Sequence, residues 1–417
     1  MPMNRNQSTG LEFIPEDKKK KAPVREKTAK TPPSSPQGPE ITRVRGGIDR
    51  TMLVLIIIMV SFGSVMVFSA SYPYALDKYG DSMYFVWRQL AFLAVGFAAM
   101  FVASWIEPSV YEKYTPLFFG IVCLLLVAVL FAGFDAGGAQ RWIGIPGTSF
   151  GVQPSEFMKL AIAMILAKYY SYYQKQVLDK RSFKTASLYG IGLPLLIIVG
   201  VCVLVMLEKH VSGTIIIFAI GMMIVFCGGA RKIWFGVAGV MAVCAASLLI
   251  SFSAHARLRV DTWLHPENYS AQNEIWQTIH GLNAVGSGGF LGVGLGQSRL
   301  KHRFVSMPQN DFIYSIIAEE LGFVGSVAVI ALFAVFVWRG FVIANRAPDP
   351  FMKLTAIGIV GKVGMQAFLN IAVVTNTIPN TGITLPFFSY GGSALVILMA
   401  EMGLLLSISR YSYQDKL

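Results

Sequence analysis

The chain has 417 residues, of which 54% are apolar and 14% charged, with a net charge of +12. Its mean hydropathy of +0.57 does not suit a soluble globular domain and makes the bilayer the expected solvent. The basic balance would suggest nucleic acid in a soluble protein, but here the place of each charge matters more than the total, and no nucleic acid is expected.

Residues 1–45 hold EDKKKK (Glu16 to Lys21), several prolines and no sustained apolar pattern. They read as a disordered basic tail that solvates and orients, or binds anionic headgroups or a partner. No secretory cleavage pattern precedes the first apolar run near Met52, so that run is expected to remain as an anchor. From there the chain reads as one polytopic membrane domain over 46–412, followed by a short tail at 413–417.

A run of about 20 apolar residues crosses the hydrocarbon core. Such runs place spans near 51–71, 84–105, 114–134, 153–170, 187–207, 211–229, 232–254, 312–338, 353–376 and 389–410. The expected fold is an all-α integral membrane protein of about ten transmembrane helices. Basic residues fall on alternate connections, including Lys168, Lys175, Lys180, Arg181 and Lys184, then Arg231 and Lys232, then Arg339 and Arg346. By the positive-inside rule both termini are cytoplasmic, and the long loop at about 255–310, between helices 7 and 8, is extracellular.

That loop breaks the pattern with Arg257, Arg259, Arg299, Lys301 and Arg303. Long loops tolerate such charge, and an electropositive surface for an anionic lipid-linked substrate is the other reading. Ile275, Trp276, Ile279 and Leu282 recur at helical spacing, which fits a half-helix on the membrane surface. The glycine-rich GSGGFLGVGLG (Gly286 to Gly296) follows; it has no βαβ context and is not a dinucleotide fingerprint. Cys123, Cys202, Cys227 and Cys244 lie in apolar stretches without paired spacing, and the five histidines form no metal-ligand pattern.

Ionisable groups inside spans are costly and are candidates for function. Glu156 and Lys159 in QPSEFMK are spaced i,i+3, so they pair on one helix face, either for structure alone or also lining a cavity. Asp311 opens the eighth span in PQNDFIYSIIAEELG, with Glu319 and Glu320 deeper. At about 100° per residue, Glu319 stands roughly 80° from Asp311 and could share its cavity, whereas Glu320 needs a partner elsewhere. Asp311 is either a general base with a raised pKa or an N-cap of its helix. Lys362 and Arg88 are each expected to pair with one of these acids or to snorkel, and the sequence does not say which. PNTGITLPFFSYGGS (Pro379 to Ser393) cannot be helical throughout; it is a substrate vestibule or an ordinary outer loop.

Taken together, RWIG (Arg141 to Gly144), QPSEFMKL (Gln153 to Leu160), GVGLGQS (Gly292 to Ser298), DFIYSIIAEELGFVG (Asp311 to Gly325) and TGITLPFFSYGGS (Thr381 to Ser393) resemble the SEDS family, which includes FtsW, RodA and SpoVE. The resemblance covers Arg50 to Arg410, and the ending Met402 to Ser412 leans toward its division and sporulation branch. It implies a peptidoglycan glycosyltransferase that polymerises lipid II at the outer face of the bacterial cytoplasmic membrane. Asp311 falls on the family's catalytic aspartate, and Glu156 and Lys159 on its paired glutamate and lysine. Arg141, Glu319, Lys301, Ser389, Gly391 and Gly392 are further expected substrate contacts, with a divalent cation such as Mg or Mn as an optional cofactor. The expected partners are a class B penicillin-binding protein, which supplies the transpeptidase, and divisome or elongasome proteins. A lipid II flippase is the competing function, and a scaffold for the transpeptidase a third. One departure stands out: where the family often has PDLGT, this chain reads EKHVSGT (Glu208 to Thr214), so Glu208 or His210 is left to replace the aspartate.

Overall fold

The computed structural model describes residues 47–135, 140–144, 151–179, 181–252, 254–265, 274–302, 304 and 307–411. The basic tail, the last six residues, Lys180, Arg303 and part of the outer loop lie outside these.

The protein is an all-α membrane protein. In chain order the helices are α1 (Arg50–Tyr79), α2 (Tyr84–Trp105), α3 (Pro108–Ala132), α4 (Pro154–Tyr172), α5 (Gln174–Val177), α6 (Phe183–Ser187), α7 (Leu193–Leu207), α8 (Val211–Cys227), α9 (Ile233–Phe252), α10 (Ala254–Leu264), α11 (Glu274–Ser287), α12 (Ile313–Asn345), α13 (Pro350–Val374) and α14 (Gly392–Tyr411). A wider turn at Leu188–Gly192 joins α6 and α7 into one apolar run. Among the described residues, 7 helices are long and apolar enough to cross a membrane, and α8 is a shorter apolar helix. Helices α4 and α9 occupy the two remaining predicted positions.

The ends of the helices follow their sequences. Asp49 caps α1 by accepting from the Met52 N–H at 2.8 Å. The same carboxylate holds Arg339 of α12 at 2.7 Å. Asp349 caps α13 through the Met352 N–H, with Pro350 at the first helical position, where a missing N–H costs nothing. Helices α13 and α14 form the middle of the bundle: 72% of the most apolar stretch of each is buried, against 22% for α2 and α3. The outer helices therefore turn most of their apolar surface toward lipid, which explains why they show no amphipathic stripe.

Two features depart from a plain bundle. Between α3 and α4 the chain makes a small antiparallel sheet of β1 (Phe134–Asp135), β2 (Gln140–Gly144) and β3 (Gly151–Val152), in that order, with Ile143 opposite Val152. The RWIG motif is its central strand. Such backbone is tolerated at a membrane protein's polar end, where water and turns satisfy its edges. The second feature is a break in α12 at Gly322, whose φ of 66° and ψ of −161° are open only to glycine. A half-helix from Ile313 to Leu321 thus precedes the longer, membrane-length part.

Candidate functional site

Helices α4, α8 and α13 meet the segment Thr381–Gly391, and Glu156, Lys362 and Asp311, three of the charged groups singled out in the sequence, lie around this junction. Glu156 lies in the first turn of α4, where Pro154 starts the helix. Lys159, one turn on, donates to its Oε1 at 2.6 Å. The lysine side chain is 2% exposed and the glutamate 15%, so the carboxylate is the half of the pair that faces open space.

That space is a cavity of about 50 Å³ lined by Glu156, Lys362 and Gln366, by Thr384–Phe387 and Ser389–Gly391, and by the first turns of α14. Lys362, from the middle of α13, is held by both oxygens of Glu401 on α14 at 2.6 and 2.7 Å. This answers where the Lys362 charge goes. Glu401 was not singled out in the sequence, although an acid inside the apolar run ILMAEMGL has the same desolvation cost as the others. Ser389 and Gly391 line the cavity, but the Ser389 hydroxyl also accepts the Leu385 N–H at 2.8 Å and so ties the turn to itself. Gly392 does not line it; a side chain there would strike Phe92. Arg88 stacks on the Tyr84 ring, 4.1 Å from its centroid.

Asp311 lies just ahead of the α12 half-helix, partly buried, and its carboxylate does not cap that helix: the cap position is Phe312, with no side-chain bond to the first turn. The capping reading therefore fails. Gly382 lies beside it, with a φ of +66° and a position where a Cβ would stand 3.6 Å from the Asp311 Oδ2. Asn370 of α13 joins the two, donating to the Asp311 carbonyl at 2.7 Å and to the Ile383 carbonyl at 2.6 Å. The Tyr390 N–H donates to the Gln309 carbonyl at 2.8 Å, and the Ser212 hydroxyl to the Thr381 carbonyl. Asp311 and Glu156 are thus linked by one extended segment, Thr381 to Tyr390, although Asp311 is not itself in the cavity wall. Burial raises the Asp311 carboxyl above its ordinary pKa, which makes it a stronger proton acceptor once ionised.

A second polar group borders α4. His210 faces the Ser155 hydroxyl at 3.1 Å and the Gln153 amide at 3.4 Å. Burial, with help from nearby Arg141, holds its pKa down at about 4. Burial likewise lifts Glu208 to about 7, and neither of its carboxylate oxygens has a hydrogen-bond partner among the described residues. Arg141, on β2, donates to the Lys209 carbonyl at 2.5 Å. The loop that replaces the PDLGT pattern thus packs against the start of α4.

Two expected substrate residues are placed elsewhere. Lys301 is fully buried and pairs with Glu320 at 2.7 Å, with neither side chain exposed, so it is not on the outer surface that its loop position suggested. Glu319 accepts the Ser298 hydroxyl and the Arg299 N–H and faces the loop rather than a cavity shared with Asp311. The loop N–H and hydroxyl make charge-assisted hydrogen bonds to the Glu319 carboxylate, which orient it toward the loop and away from Asp311. Among the described residues no group of three or more His, Cys, Asp or Glu side chains is placed to hold a metal ion.

The family model for cell cycle proteins of the FtsW, RodA and SpoVE type matches residues 49–414. The chain belongs to this family. It is 36% identical over 366 residues to stage V sporulation protein E of Bacillus subtilis, covering 87% of this chain and 97% of that one. It is equally similar to the probable peptidoglycan glycosyltransferase FtsW of Geobacter sp. strain M18, at 36% identity over the same shares. Among solved structures it matches a chain of a peptidoglycan synthase complex that coordinates polymerization and crosslinking, with a TM-score of 0.71 and 26% identity over 88% of this chain and 99% of that one. It also matches the rod shape determining protein RodA of Thermus thermophilus, with a TM-score of 0.63 and 25% identity over 88% and 98%. Family membership places the Asp311, Glu156 and Thr381–Gly391 junction in a membrane protein of peptidoglycan synthesis.

Proposed function

We propose that this protein polymerises lipid II into glycan strands at the outer face of the cytoplasmic membrane, with both termini cytoplasmic and Asp311 as the general base. The observation that carries the reading is the state of Asp311. It is a partly buried carboxylate that caps no helix, lies beside the side-chain-free Gly382, and is tied by its own carbonyl to the segment lining the Glu156 cavity.

In the proposed step Asp311 takes the proton of the acceptor hydroxyl. The freed oxygen forms the new glycosidic bond at the donor's anomeric carbon, and the bond to the diphosphate breaks with its electron pair leaving on the lipid diphosphate. Positive charge near the leaving group lowers the barrier, and Lys362, which lines the cavity and is positioned by Glu401, is the cation proposed to meet it. A ligand pocket is ordinarily about 300 Å³ or more, so the 50 Å³ cavity is proposed to receive only part of the substrate. The partner is proposed to be a class B penicillin-binding protein, matching the joint polymerization and crosslinking described for the similar synthase complex.

Full-length protein with that partner, given lipid II in detergent, tests the reading. Wild type should form glycan strands, and Asp311→Asn should lower the rate by about 100-fold or more. A transporter has no second compartment in detergent and would form none, and near wild-type polymerisation by folded Asp311→Asn would remove the base assignment.

A further inference from the structure

The half-helix Ile313–Leu321 is fastened at both ends by buried polar side chains. At the Asp311 end the grip is Asn370, which is fully buried. Its side-chain amide has two hydrogens, and both are spent here, one on the Asp311 carbonyl and one on the Ile383 carbonyl. At the far end Glu320 accepts Lys301 Nζ at 2.7 Å and the Ser69 hydroxyl of α1 at 2.5 Å. Lys301 Nζ also donates to the Gly296 carbonyl at 2.7 Å. Glu319 holds Ser298 and Arg299 of the same loop.

Between these fasteners the glycine-rich loop repairs the broken helix. The N–H groups of Val293 and Gly294 donate to the carbonyls of Glu319 and Glu320 at 3.0 Å each. Those of Phe323 and Val324 donate back to Gly289 and Phe290 at 2.9 and 3.2 Å. The approach is so close that a side chain on Gly292 would stand 2.2 Å from the Glu320 carbonyl oxygen. Buried backbone groups must be paired, and here the loop supplies what the helix lost at Gly322.

A buried ion pair is a poor way to gain stability, because apolar side chains of equal volume do as well or better. Directional polar contacts differ in fixing orientation, and a misplacement of about 1 Å at a reacting group costs about 100-fold in rate. We infer that Asn370 and the Lys301–Glu320–Ser69 cluster are positioning residues, which hold the half-helix so that the Asp311 carboxylate stays aimed past Gly382 toward the substrate. This rests on the reading of Asp311 as the base.

The test compares Asn370→Ala, the charge-neutral double variant Lys301→Met/Glu320→Gln, the charge-keeping Lys301→Arg and the reference Asp311→Asn, each full length with the transpeptidase partner. Steady-state polymerisation of lipid II gives kcat and KM, and hydrogen exchange follows amides 311–321. Loss of positioning should lower kcat about tenfold or more, leave KM within about twofold and speed exchange, while Lys301→Arg stays within about threefold of wild type. Wild-type kcat in folded Asn370→Ala, or a rise in KM with kcat unchanged, overturns the inference. Where Asn370→Ala does not fold, the double variant decides by the same readings. Activity in Asp311→Asn would instead overturn the base assignment, whereas an inactive Asp311→Asn beside a fully active Asn370→Ala sinks the positioning role alone.

Discussion

The cavity wall and the loop fastener both contain a lysine paired with a glutamate, yet they treat the carboxylate in opposite ways. In the fastener Glu320 and Lys301 are both wholly buried, and the Ser69 hydroxyl, the Ser298 N–H and the Gly296 carbonyl complete their bonding. Behind the cavity wall Lys159 is nearly as dry as Lys301, but its partner Glu156 lines the cavity and keeps 15% of its side chain exposed. A pair sealed away from any open space can only hold structure, whereas a charged group that lines a cavity can meet a ligand. The fastener therefore reads as architecture and the cavity pair as a site, a distinction that the shared residue types do not reveal.

The sharpest way to break this contrast is to remove one member of each pair. Glu320→Ala leaves Lys301 charged and buried, and should lower stability by about 3–5 kcal/mol, read as a large drop in the thermal unfolding midpoint in detergent. Glu156→Gln removes a charge already in touch with the cavity, so water can reach the lysine. Its stability loss should be smaller, about 1–2 kcal/mol on the scale of an unmet polar group, while strand formation falls about tenfold or more. Equal stability losses in the two variants would erase the distinction.

The smallest expected effect concerns the rim beside α4. Glu208 has a folded pKa of about 7 against an ordinary 4.5, so between these values the folded state holds a proton that the unfolded state has lost, and stability falls as pH rises. His210 has a folded pKa of about 4 against 6.5; there the unfolded state holds the extra proton and stability rises with pH over that window. The two oppose each other over most of the acid range. Removing the first with Glu208→Gln should make the unfolding midpoint climb more steeply from pH 4.5 to 6.5 than in wild type, by a few degrees. An unchanged slope would show that Glu208 is not the buried, protonated group of the rim.

Much of the scaffold was legible in the hydropathy alone, since every predicted span coincides with a helix, and the pairing of Glu156 with Lys159 followed from their i,i+3 spacing. The break at Gly322 was not legible, because a glycine inside an apolar run reads as a tolerated helical residue and only the approach of residues 288–294 gives it a reason. The β2 strand was missed for the same cause: its pairing partners are other short segments, not its own sequence. Glu401 could have been found by applying the rule for costly membrane charges to the last span as strictly as to the eighth. That Lys301 is drawn inside could not, since its loop position argued for solvent until Glu320 and Ser69 were seen to meet it.

The sequence by itself determined the solvent, the succession of apolar helices, the local acid–base pair on α4 and the suspicion attached to Asp311. Each of these rests on composition or on neighbours within a helical turn. Only the tertiary structure decided which carboxylates were consumed by partners and which kept open space: Glu320 and Glu319 by the loop, Glu401 by Lys362, Asp311 left facing Gly382. The physical reason is that satisfying a buried charge depends on groups far away in the chain, and hydropathy records the cost of burying that charge without recording what meets it.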